Sequence, residues 1–305
     1  MDIINCFLTN KNILMEGALG ERLKREYNLS IDGPIAMAGL VYTSAGRKAL
    51  KELWEEYISI ARIYKLPFLA TTPTRRANIE RIKQVKLDES VIYDNVRFLK
   101  EIKAQSGIEM YVGGLMGCRG DAYTGEGALD EKTAKEFHSW QAEAFKKAGV
   151  DFLYAGIMPN LNEAEGMAEA MAETKLPYII SFTIQKNGKL IDGTTIDRAI
   201  SEIDLKAGTP PLCYMTNCVH PTVVYEALSQ PFNMTDRVRT RFKGIQANTS
   251  PLSYSELDGS ADLKCSEPDD FARDMIKLKN DKHLKILGGC CGTDNRHMAA
   301  IAKRM

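Results

Sequence analysis

The sequence has neither a long apolar run nor an excess of charge of either sign. None of its 305 residues belongs to an apolar run that could span a bilayer, and residues 1–12 lack the apolar core of a signal peptide. Lys and Arg together number 40, as do Asp and Glu, so the formal net charge is zero. No basic face for nucleic acid and no acidic tail for a cationic partner is present. These absences predict a cytoplasmic protein with no membrane or nucleic-acid partner.

Disulfide bonds are also not expected. The chain has seven cysteines, an odd number, and no secretory signal, which argues against a disulfide framework. The cysteines are therefore candidates for metal binding or thiol chemistry.

Eight short apolar segments alternate with segments of helical period, and each apolar segment predicts a strand. The predicted strands are 13–17, 67–72, 110–115, 152–157, 178–184, 212–218, 242–249 and 284–290. The predicted helices are 44–64, 88–105, 132–148, 163–174 with Asn162 as its cap, 194 or 195 to 206, 221–229, 268–280 and 294–303.

Continuous apolar strands separated by helices predict a parallel sheet covered by helices. Eight such units predict an α/β fold, a single (β/α)8 TIM barrel forming one domain over residues 1–305. A doubly wound open sheet is the alternative, but it usually has a Gly-rich turn after its first strand. The segment Met15-Glu16-Gly17-Ala18-Leu19-Gly20 matches such a turn only weakly.

Three cysteines lie where predicted strands end. Cys218 ends strand six, and Cys290 and Cys291 end strand eight between glycines, so a barrel would place all three thiols on its catalytic face. Three thiolates favour zinc and leave a fourth position for water or substrate. With a net charge of −1, such a centre suits the binding and deprotonation of an incoming thiol. The alternatives are two small buried residues, a vicinal disulfide, or a phosphate cradle at Gly288-Gly289.

Several motifs resemble the homocysteine S-methyltransferase family. They are Gly288-Gly289-Cys290-Cys291-Gly292-Thr293, Asn217-Cys218, Met15-Glu16-Gly17-Ala18-Leu19-Gly20, and Ser181-Phe182-Thr183 with Asp192-Gly193-Thr194. The resemblance covers most of the chain. It implies a TIM barrel, zinc on Cys218, Cys290 and Cys291, and methyl transfer to homocysteine to form methionine.

The sequence departs from the family after strand four. The family usually has Glu-Thr-x-Pro there, and its carboxylate receives the amino group of homocysteine; this chain has Gly156-Ile157-Met158-Pro159. Glu16 replaces the usual Asp of the first motif, and Thr71-Thr72-Pro73-Thr74 replaces Thr-Thr-Asn-Thr. After strand seven, 247–251 replaces Pro-Asn-Ser-Gly. The acceptor is therefore homocysteine, in an altered pose, or a related thiol.

Other residues are candidates for substrate binding. Glu16 is the candidate for an ammonium group, and Asn217 for binding substrate, orienting Cys218 or ligating zinc when substrate is absent. Arg75 and Arg76 are predicted to begin a helical segment, either as a solvated surface or with Arg75 binding a carboxylate. Loops 116–130 and 250–267 are predicted lids whose tyrosines suit a cationic methyl donor. The expected role of His220 is to support the site or cap a helix. The remaining histidines, His138, His283 and His297, are expected on surfaces.

Two functions follow from these features. The favoured one is a zinc-dependent methyltransferase that moves a methyl group from an onium-type donor to the thiol of homocysteine or a related thiol. The alternative is a catalytically altered barrel that binds zinc and a thiol ligand without methyl transfer. Homo-oligomer formation and a corrinoid or folate protein partner remain open.

Overall fold

The strands of the chain close into a barrel. The computed structural model describes residues 2–251 and 266–305, and its strands pair in the closed order β1 to β8. The strands are β1 (Ile13–Met15), β2 (Phe68–Thr71), β3 (Met110–Gly117), β4 (Phe152–Met158), β5 (Tyr178–Phe182), β6 (Cys213–Val219), β7 (Phe242–Ala247) and β8 (Ile286–Gly289).

All neighbouring strands are parallel, including the pair that closes the barrel. Leu14 of β1 lies in register with Phe68 of β2 on one side and with Leu287 of β8 on the other. This closure confirms the predicted (β/α)8 TIM barrel and excludes the open sheet. The strand positions follow the prediction, and no strand end shifts by more than two residues.

Helices surround the barrel. They are α1 (Ile3–Thr9), α2 (Gly20–Tyr27), α3 (Ser44–Tyr64), α4 (Ile79–Gln84), α5 (Ser90–Ser106), α6 (Glu131–Ala148), α7 (Leu161–Glu173), α8 (Ile196–Lys206), α9 (Pro221–Leu228), α10 (Asp236–Arg241), α11 (Pro268–Lys282) and α12 (Asn295–Ala302). Short 3-10 segments lie at Ala36–Tyr42 and Pro231–Asn233. Among the described residues, no helix is both long and apolar enough to cross a membrane.

Helix α3 shows how the outer layer is held. The Thr43 side chain caps it by accepting a hydrogen bond from the Gly46 N–H, and Lys65 in a left-handed conformation ends it. Its Leu53, Trp54 and Tyr57 are fully buried. Burial of each such side chain stabilises the fold by roughly 1.5–3 kcal/mol. The stripe of apolar residues read from the sequence therefore faces the barrel.

The barrel interior is filled, not open. Alternate strand residues point inward, where Met15, Leu69 and Tyr154 pack together. At the N-terminal end, Ile3 and Cys6 of α1 join the same cluster and cover the barrel floor. With the floor covered, a ligand reaches the barrel axis from the C-terminal face.

Some local predictions were wrong. Helix α7 is capped by Asn160, whose side chain accepts from the Glu163 N–H, and not by Asn162, which lies inside the helix. Arg75 and Arg76 do not begin a helix: they lie in a turn, and α4 begins only after the cap Asn78. Helices α1, α2, α4 and α10, which have six to eight residues each, were not predicted.

Two histidines that were expected on surfaces are buried. His138 of α6 is fully buried beside Glu163, and its Nε2 lies 3.0 Å from a Glu163 oxygen. His297 is also buried; its Nδ1 lies 2.8 Å from Asp294 in the capping box of α12. Only His283, which ends α11 with φ of 58°, is at the expected place on a connector.

Candidate metal centre and substrate site

Three cysteine sulfurs come together at the C-terminal face of the barrel. The Cys218 sulfur lies 3.4 Å from that of Cys291, and the Cys290 sulfur lies 4.0 Å from that of Cys291. All three sulfurs lie within 4.8 Å of one another. Cys291 is exposed and the other two are half-buried, so the cluster is accessible from the barrel mouth. The structure thus brings together all three predicted ligands.

Cys218 reaches the cluster through a local irregularity in β6. Its neighbour Asn217 points inward, so regular alternation would turn Cys218 outward towards the helices. Instead Cys218 has φ of 59°, a left-handed conformation that is uncommon for a residue with a side chain. The register of β6 with β7 also shifts between Asn217 and Val219. Because a bulge re-aims a side chain, Cys218 can face the mouth.

The double cysteine follows β8 in a tight turn. The Thr293 N–H donates to the Cys290 carbonyl at 3.1 Å, and Gly292 in the turn has φ of 81°. A Cβ at Gly292 would lie only 1.9 Å from the Thr249 hydroxyl. This turn lets adjacent thiols approach the same point. Of the flanking glycines, only the one after the pair takes positive φ.

The ionisation of each of the three thiols affects the pKa of the other two. Hydrogen bonds from the Cys290 and Cys291 thiols hold the pKa of Cys218 well below its usual range. Donation to the Cys218 sulfur raises the pKa of both partners well above theirs. Adjacent thiolates repel one another, so without a cation the cluster favours one ionised sulfur. A divalent cation would relieve this repulsion.

The sulfur spacing suits zinc. Tetrahedral zinc with Zn–S bonds near 2.3 Å requires sulfurs about 3.8 Å apart. The distances of 3.4 and 4.0 Å lie on either side of that value. Three soft ligands and an accessible side match a zinc site that keeps one position open.

Tyr123 is the cluster's neighbour from another loop. It lies in the loop between β3 and α6, near enough to Cys218, Cys290 and Cys291 to interact with them electrostatically. Burial and the nearby cysteine charges raise the pKa of Tyr123 well above its usual value. The sequence placed this tyrosine in a predicted lid but did not predict that it would lie near the three cysteines.

Glu16 lies at the end of β1 and is buried. Its carboxylate accepts hydrogen bonds from the Thr71 N–H at 2.9 Å, from the Thr71 hydroxyl at 2.5 Å and from the Trp54 indole at 2.6 Å. Burial nevertheless outweighs these bonds and raises the pKa of Glu16 to about 7. A carboxylate has about four acceptor positions, and these bonds use three of them.

Asn217 belongs to a polar network in the barrel mouth. Its Oδ1 accepts from the Tyr154 hydroxyl at 3.1 Å and from the Ile157 N–H at 3.3 Å, and its Nδ2 donates to Gln246 at 2.5 Å. These bonds connect the ends of β4, β6 and β7 next to Cys218. One Nδ2 hydrogen has no partner within this network.

Arg75 lies at the mouth beside the end of β3. Its Cγ is 2.6 Å from the position that a Cβ at Gly117 would take, and Gly117 pairs in register with Gly156. No carboxylate of the described residues forms an ion pair with Arg75, although Asp121 is an electrostatic neighbour. Arg75 thus lies next to the strand end that lacks a carboxylate.

The other cysteines and His220 stay apart from the cluster. Cys6, Cys118 and Cys213 are buried, and burial raises their pKa values to about 11 or 12. His220 caps α9 by accepting the Thr222 N–H at its Nδ1, as the sequence suggested. Residues 252–265 of the predicted lid 250–267, which include Tyr254 and Cys265, lie outside the described residues.

Comparison with known proteins decides the family. The family model described as homocysteine S-methyltransferase matches residues 13–305. The chain belongs to the homocysteine S-methyltransferase family. The resemblance noted from the cysteine, glycine and first-strand motifs is thereby confirmed.

Two curated relatives in this family are similar to the chain. The homocysteine S-methyltransferase of Escherichia coli is 25% identical over 189 residues, which cover 61% of this chain and 57% of the relative. The selenocysteine Se-methyltransferase of Brassica oleracea is 24% identical over 178 residues, covering 57% of this chain and 49% of the relative. The matched region thus spans about half the length of these relatives.

Solved structures of the same family show a similar fold. The oxidized form of the homocysteine methyltransferase MmuM from Escherichia coli superposes with a TM-score of 0.78 at 21% identity, covering 100% of both chains. Its metallated form gives a TM-score of 0.76 at 19% identity, covering 99% of both chains.

Proposed function

We propose that this protein is a zinc-dependent methyltransferase that moves a methyl group to the thiol of homocysteine or a related thiol. The observation that carries the proposal is the cluster of Cys218, Cys290 and Cys291, open on one side at the barrel mouth. Family membership supports the reaction class. We further propose that residues 1–305 act as one domain.

The three cysteines would hold the metal through their sulfurs. When bound, zinc would supply a Lewis-acidic position that lowers the pKa of an incoming thiol. The chain holds these sulfurs through the Gly292 turn and the left-handed Cys218, so the ligands are arranged before substrate arrives. Such preorganisation avoids a rearrangement during the reaction.

The mouth offers one group for each end of an amino-acid acceptor. We propose that Glu16 receives the ammonium group of homocysteine and that Arg75 receives the carboxylate, for which its planar guanidinium is suited. The free Nδ2 hydrogen of Asn217 is a further candidate contact. In this arrangement Glu16 takes over from the carboxylate that the family usually has at the position of Gly156.

The reaction requires a methyl group bound to an electron-withdrawing centre. We propose an onium-type donor, since sulfur attack on its methyl carbon forms one S–C bond, breaks the donor's C–S or C–N bond and leaves the donor's sulfur or nitrogen uncharged. The acceptor proton leaves to solvent before the attack. Alignment of the two substrates supplies most of the rate gain. A corrinoid or folate protein remains a candidate alternative donor.

The second candidate function is zinc and thiol binding without methyl transfer. Gly156 favours it, because a weaker hold on the acceptor could leave its sulfur misaligned for attack. A small-molecule thiol would then be the ligand, and no donor would react.

Free cysteines in the site require a reducing compartment, which supports the proposed cytoplasmic location. Formation of a homo-oligomer is a separate proposal.

X-ray absorption on zinc-loaded, reduced protein tests the proposal. We expect three sulfurs and one light atom around zinc, changing to four sulfurs when homocysteine is added. The variant Cys290→Ala should lose zinc and methyl transfer together, whereas the control Cys118→Ala, which alters a buried cysteine outside the cluster, should keep both.

The outcomes separate the candidate functions. If the number of sulfur ligands around zinc stays at three when homocysteine is added, the acceptor would have to be another thiol. Four sulfurs without methylation by any onium donor would favour the binding protein. A Cys290→Ala variant that transfers methyl groups without metal would refute the zinc proposal.

A further inference from the structure

The turn at residues 290–293, which carries the double cysteine, is hydrogen-bonded to the start of α2. The Gly292 N–H donates to the Glu21 carboxylate at 2.6 Å, across 271 residues of sequence. One residue further along the turn, the Thr293 hydroxyl accepts the Ala18 N–H at 3.0 Å. Only the contact with Glu21 involves a charged group, and hydrogen bonds to charged groups are roughly twice as strong as neutral ones.

The peptide group between Cys291 and Gly292 is hydrogen-bonded on both sides. Its N–H donates to Glu21, and its carbonyl accepts the Thr249 N–H at 3.1 Å. Because a peptide group is planar, two such bonds fix its orientation, which helps to set the direction of the Cys291 side chain. Cys291 is exposed, whereas the other two cysteines of the cluster are half-buried. The bond to Glu21 therefore restrains the cysteine that the surrounding protein covers least.

Glu21 is itself held in place by α2. It lies in the first turn of this helix, where the helix dipole favours a negative charge. Its Oε2 accepts the Gly292 N–H, while its Oε1 pairs with Arg25, one helical turn further on, at 3.1 Å. The two oxygens of the carboxylate thus have separate partners, so each contact can be removed without the other.

A turn that is ordered before the metal arrives binds the metal more tightly, because less conformational freedom is lost on binding. The Cys290 and Cys291 sulfurs lie 4.0 Å apart, and both must lose a proton to bind zinc. Thiolates so close together repel one another, which opposes the ordered turn unless other contacts hold it. Groups that orient metal ligands from outside the ligand set commonly change metal affinity by about 10–100-fold.

We propose that Glu21 is a positioning residue of the metal site. By accepting the Gly292 N–H, its carboxylate keeps the turn in the conformation that brings the Cys291 sulfur to the other two. This inference rests on the proposed function, because it requires a metal on the three cysteines. Glu21 acts through the turn and needs no contact with either substrate, and the reach of its side chain matters more than its charge.

Two conservative substitutions separate reach from charge. Glu21→Asp keeps the charge at the start of α2, but its side chain is one methylene too short for the 2.6 Å contact. Glu21→Gln loses the charge, yet its amide oxygen can still accept the Gly292 N–H. We expect Glu21→Asp to bind zinc about 10-fold more weakly than the wild type, and Glu21→Gln to bind it nearly as tightly. A competition titration of the reduced proteins against a chromophoric zinc chelator measures these affinities.

The matched control is Arg25→Ala. It removes the other partner of the Glu21 carboxylate and leaves the Gly292 bond, so its zinc affinity should equal that of the wild type. Urea unfolding of the metal-free proteins gives a second comparison. If the contact only stabilises the fold, Glu21→Asp will be less stable without zinc while its zinc affinity is unchanged, and that result would overturn the inference.

Failure of the inference differs from failure of the proposed function. Equal zinc affinity in the wild type and Glu21→Asp would overturn only the role of Glu21. Weaker zinc binding by Glu21→Gln than by Glu21→Asp would also overturn it, because charge would then matter more than reach. The expected order of affinities in a protein that transfers no methyl group would support the role of Glu21 and overturn the proposed function alone, since the titration needs no methyl donor. A wild type that binds no zinc would overturn both.

Discussion

The buried carboxylate of Glu16 makes the stability of this protein depend on pH in a defined window. Burial raises its pKa from 4.5 to about 7, although Thr71 and Trp54 donate hydrogen bonds that oppose the shift. Such a change corresponds to about 3 kcal/mol of differential stability between the two protonation states. Because Glu16 is almost fully buried, solvent screens little of this energy.

The sign follows from which state binds the proton more tightly. The folded state holds the Glu16 proton up to about pH 7, whereas the unfolded chain releases it near 4.5. The stabilising contribution is therefore complete below pH 4.5 and is lost as the pH rises through 7. About 2.5 kcal/mol of it should disappear between pH 5 and pH 8.

The substitution Glu16→Gln isolates this effect. Glutamine keeps the shape of the protonated side chain but does not ionise, so the variant lacks the pH dependence. We expect its free energy of unfolding, relative to the wild type, to improve by about 2.5 kcal/mol from pH 5 to pH 8. Urea unfolding of both proteins at the two pH values, with zinc kept in excess, measures the difference.

A surface control shows whether burial is the cause. Glu55 lies exposed on α3 beside Lys51, so Glu55→Gln should differ from the wild type by the same small amount at both pH values. A difference between Glu16→Gln and the wild type that does not change with pH would refute the reasoning.

Two further substitutions test the supports of the site. Gly292→Ala forces a side chain into positive φ and against Thr249, which should destabilise the turn by about 1–3 kcal/mol; a zinc competition titration should then show weaker metal binding. Glu163→Gln replaces an acceptor of the Leu129 N–H by a donor, at a cost of about 1–3 kcal/mol. Because Glu163 accepts the N–H groups of both Arg119 and Leu129, hydrogen exchange in loop 118–130 should then speed up. An unchanged exchange rate would show that Glu163 does not hold this loop.

The sequence predicted the barrel and the place of its metal site. Eight apolar segments alternating with helices indicate a closed parallel sheet, and topology alone puts the ends of β6 and β8 on one face. That sufficed to bring Cys218 and the Cys290-Cys291 pair together over about seventy residues of sequence. The prediction was correct because the period of each segment is a local property of the sequence, and the number of strands follows from counting the segments.

Side chains that meet across elements could not be found in this way. The burial of Glu16 depends on Trp54 of α3 and on Thr71 of β2, and no local pattern connects them. The burial of His138 likewise depends on Glu163 from the next helix. A polar residue on a helix therefore predicts a surface position unless its partner is known.

The sequence by itself determined the fold, the three cysteines and the chemistry that their sulfurs favour, because these follow from periodicity, chain order and ligand type. The tertiary structure decided how those sulfurs are aimed. The left-handed Cys218 and the approach of Tyr123 to the three cysteines bring together segments that are distant in sequence. Such packing compensates for backbone strain that a sequence pattern does not reveal.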